Sequence, residues 1–149
     1  MLNGPTNGPE ETVRSLPHSI SFEKSVLSIM LKEPHMIAEA MIDADHFYLP
    51  AHRMIFEIIS KTPDSLELTS LVQGLHDKGL LDHVGGSSAI ADIYTYAPNA
   101  AHFRRHVDEL RDRYSRRLQI QLCAEAMEEA YDLSTGPGGH LGAIQGPLT

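Results

Sequence analysis

Cysteine, tryptophan, long apolar runs and basic charge are all scarce in this chain of 149 residues, and each scarcity removes a class of protein. With one cysteine, Cys123, there is no disulfide framework and no cysteine-built zinc site, and a reducing cytoplasm is the expected compartment. No apolar run approaches the ~20 residues of a membrane span, and the opening MLNGPTNGPEETVRS lacks the basic and apolar regions of a signal peptide, so no membrane partner is expected. Lys and Arg number 12 against 20 Asp and Glu, a net charge of −8, without the basic excess of a dedicated nucleic-acid surface. Nor does any segment alternate at period two over enough residues to make a strand. The pattern predicts an all-α protein.

What is present is helical periodicity, and 42% hydrophobic residues suffice for one globular core. The longest uninterrupted pattern runs from Asn99 to Asp132. Phe103, Val107, Leu110, Tyr114, Leu118 and Leu122 form one stripe, and Ile120, Ala124, Met127 and Tyr131 begin a second on another face where the first fades. A single helix here reaches roughly 50 Å, longer than a small domain is wide, so part of it is expected to project. Six arginines (104, 105, 111, 113, 116 and 117) fill its first half. Glu125, Glu128, Glu129 and Asp132 fill its second, and no Lys or Arg follows Arg117. That order opposes the helix dipole. A second copy lying antiparallel would set each basic half against an acidic one, which predicts self-association, and any anionic partner would be met at the arginines.

Ahead of this rod the chain divides into a Gly/Pro-containing tail expected to be disordered (1–16) and a helical head (17–98). Ser19 is placed to cap a largely buried helix to about Lys32, with Ile20, Leu27, Met30 and Leu31 as one stripe. A short helix from Met36 to about Ile42 follows. Pro50 suits the first turn of a third helix with inner face Ala51, Met54, Ile55, Ile58 and Ile59, stopped by Pro63 and Asp64. Leu68, Leu71, Val72 and Leu75 mark a fourth, closed by Gly79. Positive φ is expected at Gly85 and Gly86, Ser87 or Ser88 as the cap of a fifth helix ending at Pro98, and Asn99 as the cap of the rod. The stretch 133–149, rich in Gly and Pro, is expected to be a linker or tail.

Chemistry-bearing patterns are weak. His102 and His106 stand four apart on one face, but the Glu of a zinc-binding H-E-x-x-H is missing and Arg104 and Arg105 would repel a cation. Asp45, His46, His52, His76 and His83 lie in or beside predicted turns, where turn chemistry explains them. There is no Gly-x-Ser-x-Gly elbow, and GPGGHLG lacks the Lys-Ser/Thr of a phosphate loop. No catalytic residue, metal ligand or cofactor is assigned.

The runs LPHSISFEKSVLSIML, DADHFYLPAHRMIFEII, LHDKGLLDHVGGSSAIADIYTYAPNAAHF, RDRYSRRL and AEAMEEAYD resemble, in order, the N-terminal domain of the bacterial DnaB-type replicative helicase from about Leu16 to Asp132. The resemblance implies a helical head with a helical hairpin extension. It further implies assembly as a collar above a motor ring, docking of primase or a loader, and confinement of ATP and Mg²⁺ to a motor part that nothing here matches. No Walker A sequence is present, so this chain by itself is not expected to be an enzyme. Ile120 matches an apolar position of the family's hairpin. Ala126 stands where a larger Ile is common, and Ala89 where a Tyr often faces primase. Ala89, Arg116, Arg117, Ile120, Ala126, Met127 and Tyr131 are the expected partner or oligomer contacts. The alternative is a stand-alone accessory protein of phage or plasmid type that binds or caps a helicase ring.

Overall fold

A computed structural model describes residues 14–62, 67–134 and 136. The expected stop at Pro63 and Asp64 lies outside these residues, as do most of the tail over 1–16 and most of the stretch 133–149. Among the described residues there are six α-helices and no strand: α1 (Ile20–Lys32), α2 (Met36–Ala40), α3 (Pro50–Lys61), α4 (Leu68–Asp77), α5 (Gly86–Tyr96) and α6 (Phe103–Tyr131). Two 3₁₀ turns, Ala44–His46 and Asp82–Val84, join them. The all-α expectation holds.

The head is built around α1. Ser19 caps it as expected, its Oγ accepting the Phe22 N–H at 3.3 Å. The run SVLSIML has no polar face to offer solvent, and every residue from Ser25 to Leu31 is buried. Ser28 bolts α1 to α5: its Oγ donates to the Tyr94 carbonyl at 2.9 Å and accepts the Ala97 N–H at 3.0 Å. Ile20 departs from the expected inner stripe. It is exposed together with Ser21, because the first turn of α1 lies at the margin of the core.

The later helices follow the sequence with small rotations. In α3 the buried stripe is His52, Ile55, Phe56 and Ile59, while Ala51, Met54 and Ile58 are only half-buried, so the inner face is turned toward His52 and Phe56. Gly79 closes α4 at φ +69°, letting the Leu80 N–H reach back to the Leu75 carbonyl at 2.8 Å. Gly85 and Gly86 have the expected positive φ and themselves carry the chain into α5. Ser87 and Ser88 are therefore not caps; Gly85 holds that position, with no side-chain bond. Asn99 is not the cap of α6 either. Its Oδ1 accepts the Ala101 N–H at 2.9 Å inside a turn, and His102 stands at the helix start.

The Met36 helix ends at Ala40, two residues short of expectation, because Met41 turns left-handed at φ +52°. Arg111 of α6 reaches over to donate to the carbonyls of Ala40 and Met41, the latter at 3.0 Å. These are the groups that a helix end leaves without partners.

Helix α6 has 29 residues and so spans about 43 Å. Only Phe103, Val107 and Leu110 are buried in the head. Beyond Gln121 it is exposed over most of its length as a single rod.

Candidate interaction surface

The rod leaves the head at an elbow built on one buried carboxylate. Glu23 of α1 is fully buried. Its oxygens accept the backbone N–H groups of Tyr48 at 3.1 Å and Leu49 at 3.3 Å, and the Nδ1–H of His52 at 2.8 Å. A carboxylate can only accept, so His52 carries its proton on Nδ1. Leu49 is the N-cap of α3, so Glu23 takes from outside the cap N–H that the third-residue side chain of a capping box would have accepted, and holds the N–H of Tyr48 just ahead of it. Sequence reasoning placed His52 in turn chemistry and missed this pair. The available signal was a single carboxylate in a helix expected to be largely buried.

Four of the six arginines, Arg111, Arg113, Arg116 and Arg117, make contacts within their own chain. Arg117 donates to three carbonyls of its own head: Pro17 at 2.8 Å, His46 at 3.2 Å and Asp45 at 3.4 Å. Its plane lies over the rings of Tyr48 and Tyr114, at 5.5 and 5.7 Å. Burial lowers its pKa from the ordinary value; Glu23 opposes this and Arg53 adds to it. Arg111 serves α2 as described. Arg113 pairs with Glu109 at 2.5 Å and lies over Phe22, and Arg116 pairs with Asp112 at 2.8 Å. Carbonyl oxygens at short-element ends are the reason: they need donors, and the long guanidinium forks of α6 are the donors within reach.

Past Leu118 the rod shows apolar side chains to solvent. Ile120 is 45% exposed, Met127 59% and Tyr131 81%, and Leu118 and Leu122 are exposed as well. The first stripe therefore outlasts the head that covers its beginning, and the second has no cover among the described residues. Of the sequence-derived contact residues, Arg116, Ile120, Met127 and Tyr131 lie exposed on this rod and Ala126 is half-buried there. Arg117 is half-buried at its root. Ala89 lies apart, on α5, half-buried against Gly85, where a Cβ would come within 2.9 Å of its own. Beside it an apolar groove of about 580 Å³ runs between α4 and α5, lined by Leu68, Val72, Ser87, Ser88 and Ala91 among others.

Of the histidine pair at the start of α6, His102 is exposed and His106 is engaged internally. His106 Nδ1 and Ser25 Oγ share a hydrogen bond of 2.7 Å, and the His106 ring packs 4.9 Å from Phe22. Burial lowers the His106 pKa, and the nearby His102 and Arg105 lower it further against the pull of Glu109. Among the described residues no three His, Cys, Asp or Glu side chains gather to hold a metal ion, and no helix is long and apolar enough to cross a membrane.

Residues 15–112 match the family model described as the DnaB-like helicase N terminal domain. Over 121 residues, 77% of its length, the chain is 35% identical to the replicative DNA helicase DnaB of Haemophilus influenzae and covers 26% of that protein. It is 30% identical to the probable replicative DNA helicase of Trieres chinensis, covering 78% of this chain and 27% of that one. The chain thus spans about a quarter of the length of these curated relatives. The fold superposes on the crystal structure of the N-terminal domain of DnaB helicase from Mycobacterium tuberculosis with a TM-score of 0.78 at 20% identity, over 89% of this chain and 99% of that one.

Proposed function

The chain belongs to the DnaB-like helicase N terminal domain family, and we propose that it acts as a non-catalytic assembly and docking module in DNA replication. In this reading it pairs with further copies to form a collar and offers the assembled surface to primase or a helicase loader. The motor chemistry, with its ATP and Mg²⁺, belongs elsewhere.

One observation carries the proposal: the exposed apolar side chains of α6 from Leu118 to Tyr131. An isolated helix of that length is marginal in water, and its charge order opposes its own dipole, so a partner is the natural source of its stability. A second copy fits that need. Setting Arg116 of one copy against Glu129 of an antiparallel second copy, in both directions, places the two-fold between Leu122 and Cys123. The order of charges along α6 therefore favours this antiparallel register.

The test is sedimentation of the wild-type chain beside Ile120→Glu and Met127→Glu. The wild type is expected to associate reversibly and both variants to sediment as monomers, losing no more helix by circular dichroism than the unpaired end of α6 accounts for. A wild-type chain that stays monomeric at every concentration refutes self-assembly. Pull-down by the cognate primase before and after these substitutions then tests whether docking needs the assembled surface.

A further inference from the structure

We propose that the cleft at the root of α6 is a binding site for a carboxylate group, presented by an acidic side chain or a chain terminus of a peptide. The cleft has a volume of about 310 Å³ and is lined by Tyr48, Arg53, Tyr114, Arg117 and Gln121, with Asp45 at one side. That is several times the ~30 Å³ share of one water and accommodates a carboxylate on a short side chain.

Its charges are out of balance. Arg53 and Arg117 are close enough that the positive charge of Arg53 helps to lower the pKa of Arg117, so the two guanidiniums repel one another in a half-buried place. The acceptors they use are neutral. Arg117 donates to the carbonyls of Pro17, Asp45 and His46, and Arg53 Nη2 donates to the Tyr48 carbonyl at 3.0 Å. The Arg53 Nε is buried with no acceptor among the described residues. Glu23 attracts Arg117, but its oxygens already accept from Tyr48, Leu49 and His52. Glu23 is thus fully engaged, and the other carboxylate at the cleft, Asp45, is exposed at its side, so the half-buried guanidiniums have no free carboxylate between them among the described residues.

That arrangement favours a monoanion, because a dianion such as phosphate would meet the like charge of Asp45 with twice the repulsion. The planar fork of a guanidinium matches the two oxygens of a carboxylate. Phe47, Leu118 and the two tyrosine rings supply apolar wall for the carbon stem behind the charge.

The test follows the arginine Nε–Hε signals of the ¹⁵N-labelled chain during titration with sodium acetate, with sodium chloride at matched ionic strength and inorganic phosphate as comparisons. Acetate is expected to give a saturable shift at Arg53 and Arg117, and chloride none. N-acetyl-aspartate N-methylamide and N-acetylglycine then separate the two sources, the tighter binder naming side chain or terminus and equal binding showing that both are taken. Asp45→Asn removes a like charge from the rim and should tighten acetate about threefold to fivefold, the scale of one exposed charge pair. Gln121→Glu, on an exposed helix position, places a resident carboxylate one turn from Arg117 and should abolish the titration. A shift that does not saturate, one that chloride reproduces, tighter binding of phosphate than of acetate, or a Gln121→Glu chain that titrates like the wild type would each overturn the assignment.

Discussion

Replacing Glu23 by Gln is the substitution with the most to say about how the head is held. Glu23 is fully buried and accepts three N–H groups, two from the backbone ahead of α3 and one from His52. Glutamine keeps one acceptor oxygen and turns an NH₂ toward donors, so at least one of the three N–H groups loses its partner and the others lose a charged acceptor. A hydrogen bond to a charged group contributes about 1.5–3 kcal/mol, and a buried donor left unpaired costs about 1–3 kcal/mol. Partial relaxation brings the expected loss to about 2–4 kcal/mol, or roughly 8–16 °C in Tm at about 4 °C per kcal/mol. Urea unfolding followed by circular dichroism measures the first figure and a thermal scan the second. Amide exchange at Tyr48 and Leu49 should quicken more than at Leu27, because the damage is local before it is global. A double-mutant cycle with His52→Asn should show coupling of about 0.5–3 kcal/mol. A Glu23→Gln chain within about 0.5 kcal/mol of wild type, the range of ordinary surface substitutions, would show that the carboxylate is not the anchor described.

Two further outcomes follow from the head. Burial, then His102 and Arg105, hold the His106 pKa below its unfolded value, so its neutral form is favoured by folding. Stability should be full above the unfolded value of about 6.5 and fall as pH drops through it toward the folded value. Urea midpoints in the wild type and His106→Gln, compared above and below that pH, should show a smaller drop in the variant; equal drops would exclude His106 as a source. Gly85→Ala meets both a φ of +96° and the Ala89 Cβ at 2.9 Å, so a loss of about 1–3 kcal/mol is expected by chemical denaturation. Adding Ala89→Gly should restore only the steric part, and full recovery would mean that the backbone conformation costs nothing.

Most of the architecture was legible because it rests on local signals. The stripe Phe103, Val107, Leu110 predicted burial in the head, and the exposed Ile120, Met127 and Tyr131 lie on the rod where the second stripe put them. Capping was legible at Ser19 and Gly79, where one side chain or one missing side chain decides the turn. It failed at Ser87 and Asn99, because the Gly85–Gly86 backbone and a turn at Ala101 did the work that a cap would have done. The elbow was illegible for another reason. Glu23 and His52 lie 29 positions apart, and Arg117 and Pro17 100 apart, so their meeting is a product of tertiary packing that no periodicity announces. The arginine cluster was visible in composition, but its carbonyl acceptors on α2 and the Ala44–His46 turn were not.

The pairing of α6 with a second copy is tested most directly through Cys123, which is free and exposed on the outer part of α6. With a spin label on this native thiol, pulsed dipolar spectroscopy should give a short intermolecular distance, set by an interaxial separation of about 8–10 Å plus the label arms. A second label series on Cys123→Ser with Tyr131→Cys should give a separation of about 25 Å along the axis, because an antiparallel pair carries those residues to opposite ends. Absence of any intermolecular coupling at Cys123, or a distance at residue 131 as short as at residue 123, would contradict the antiparallel rod.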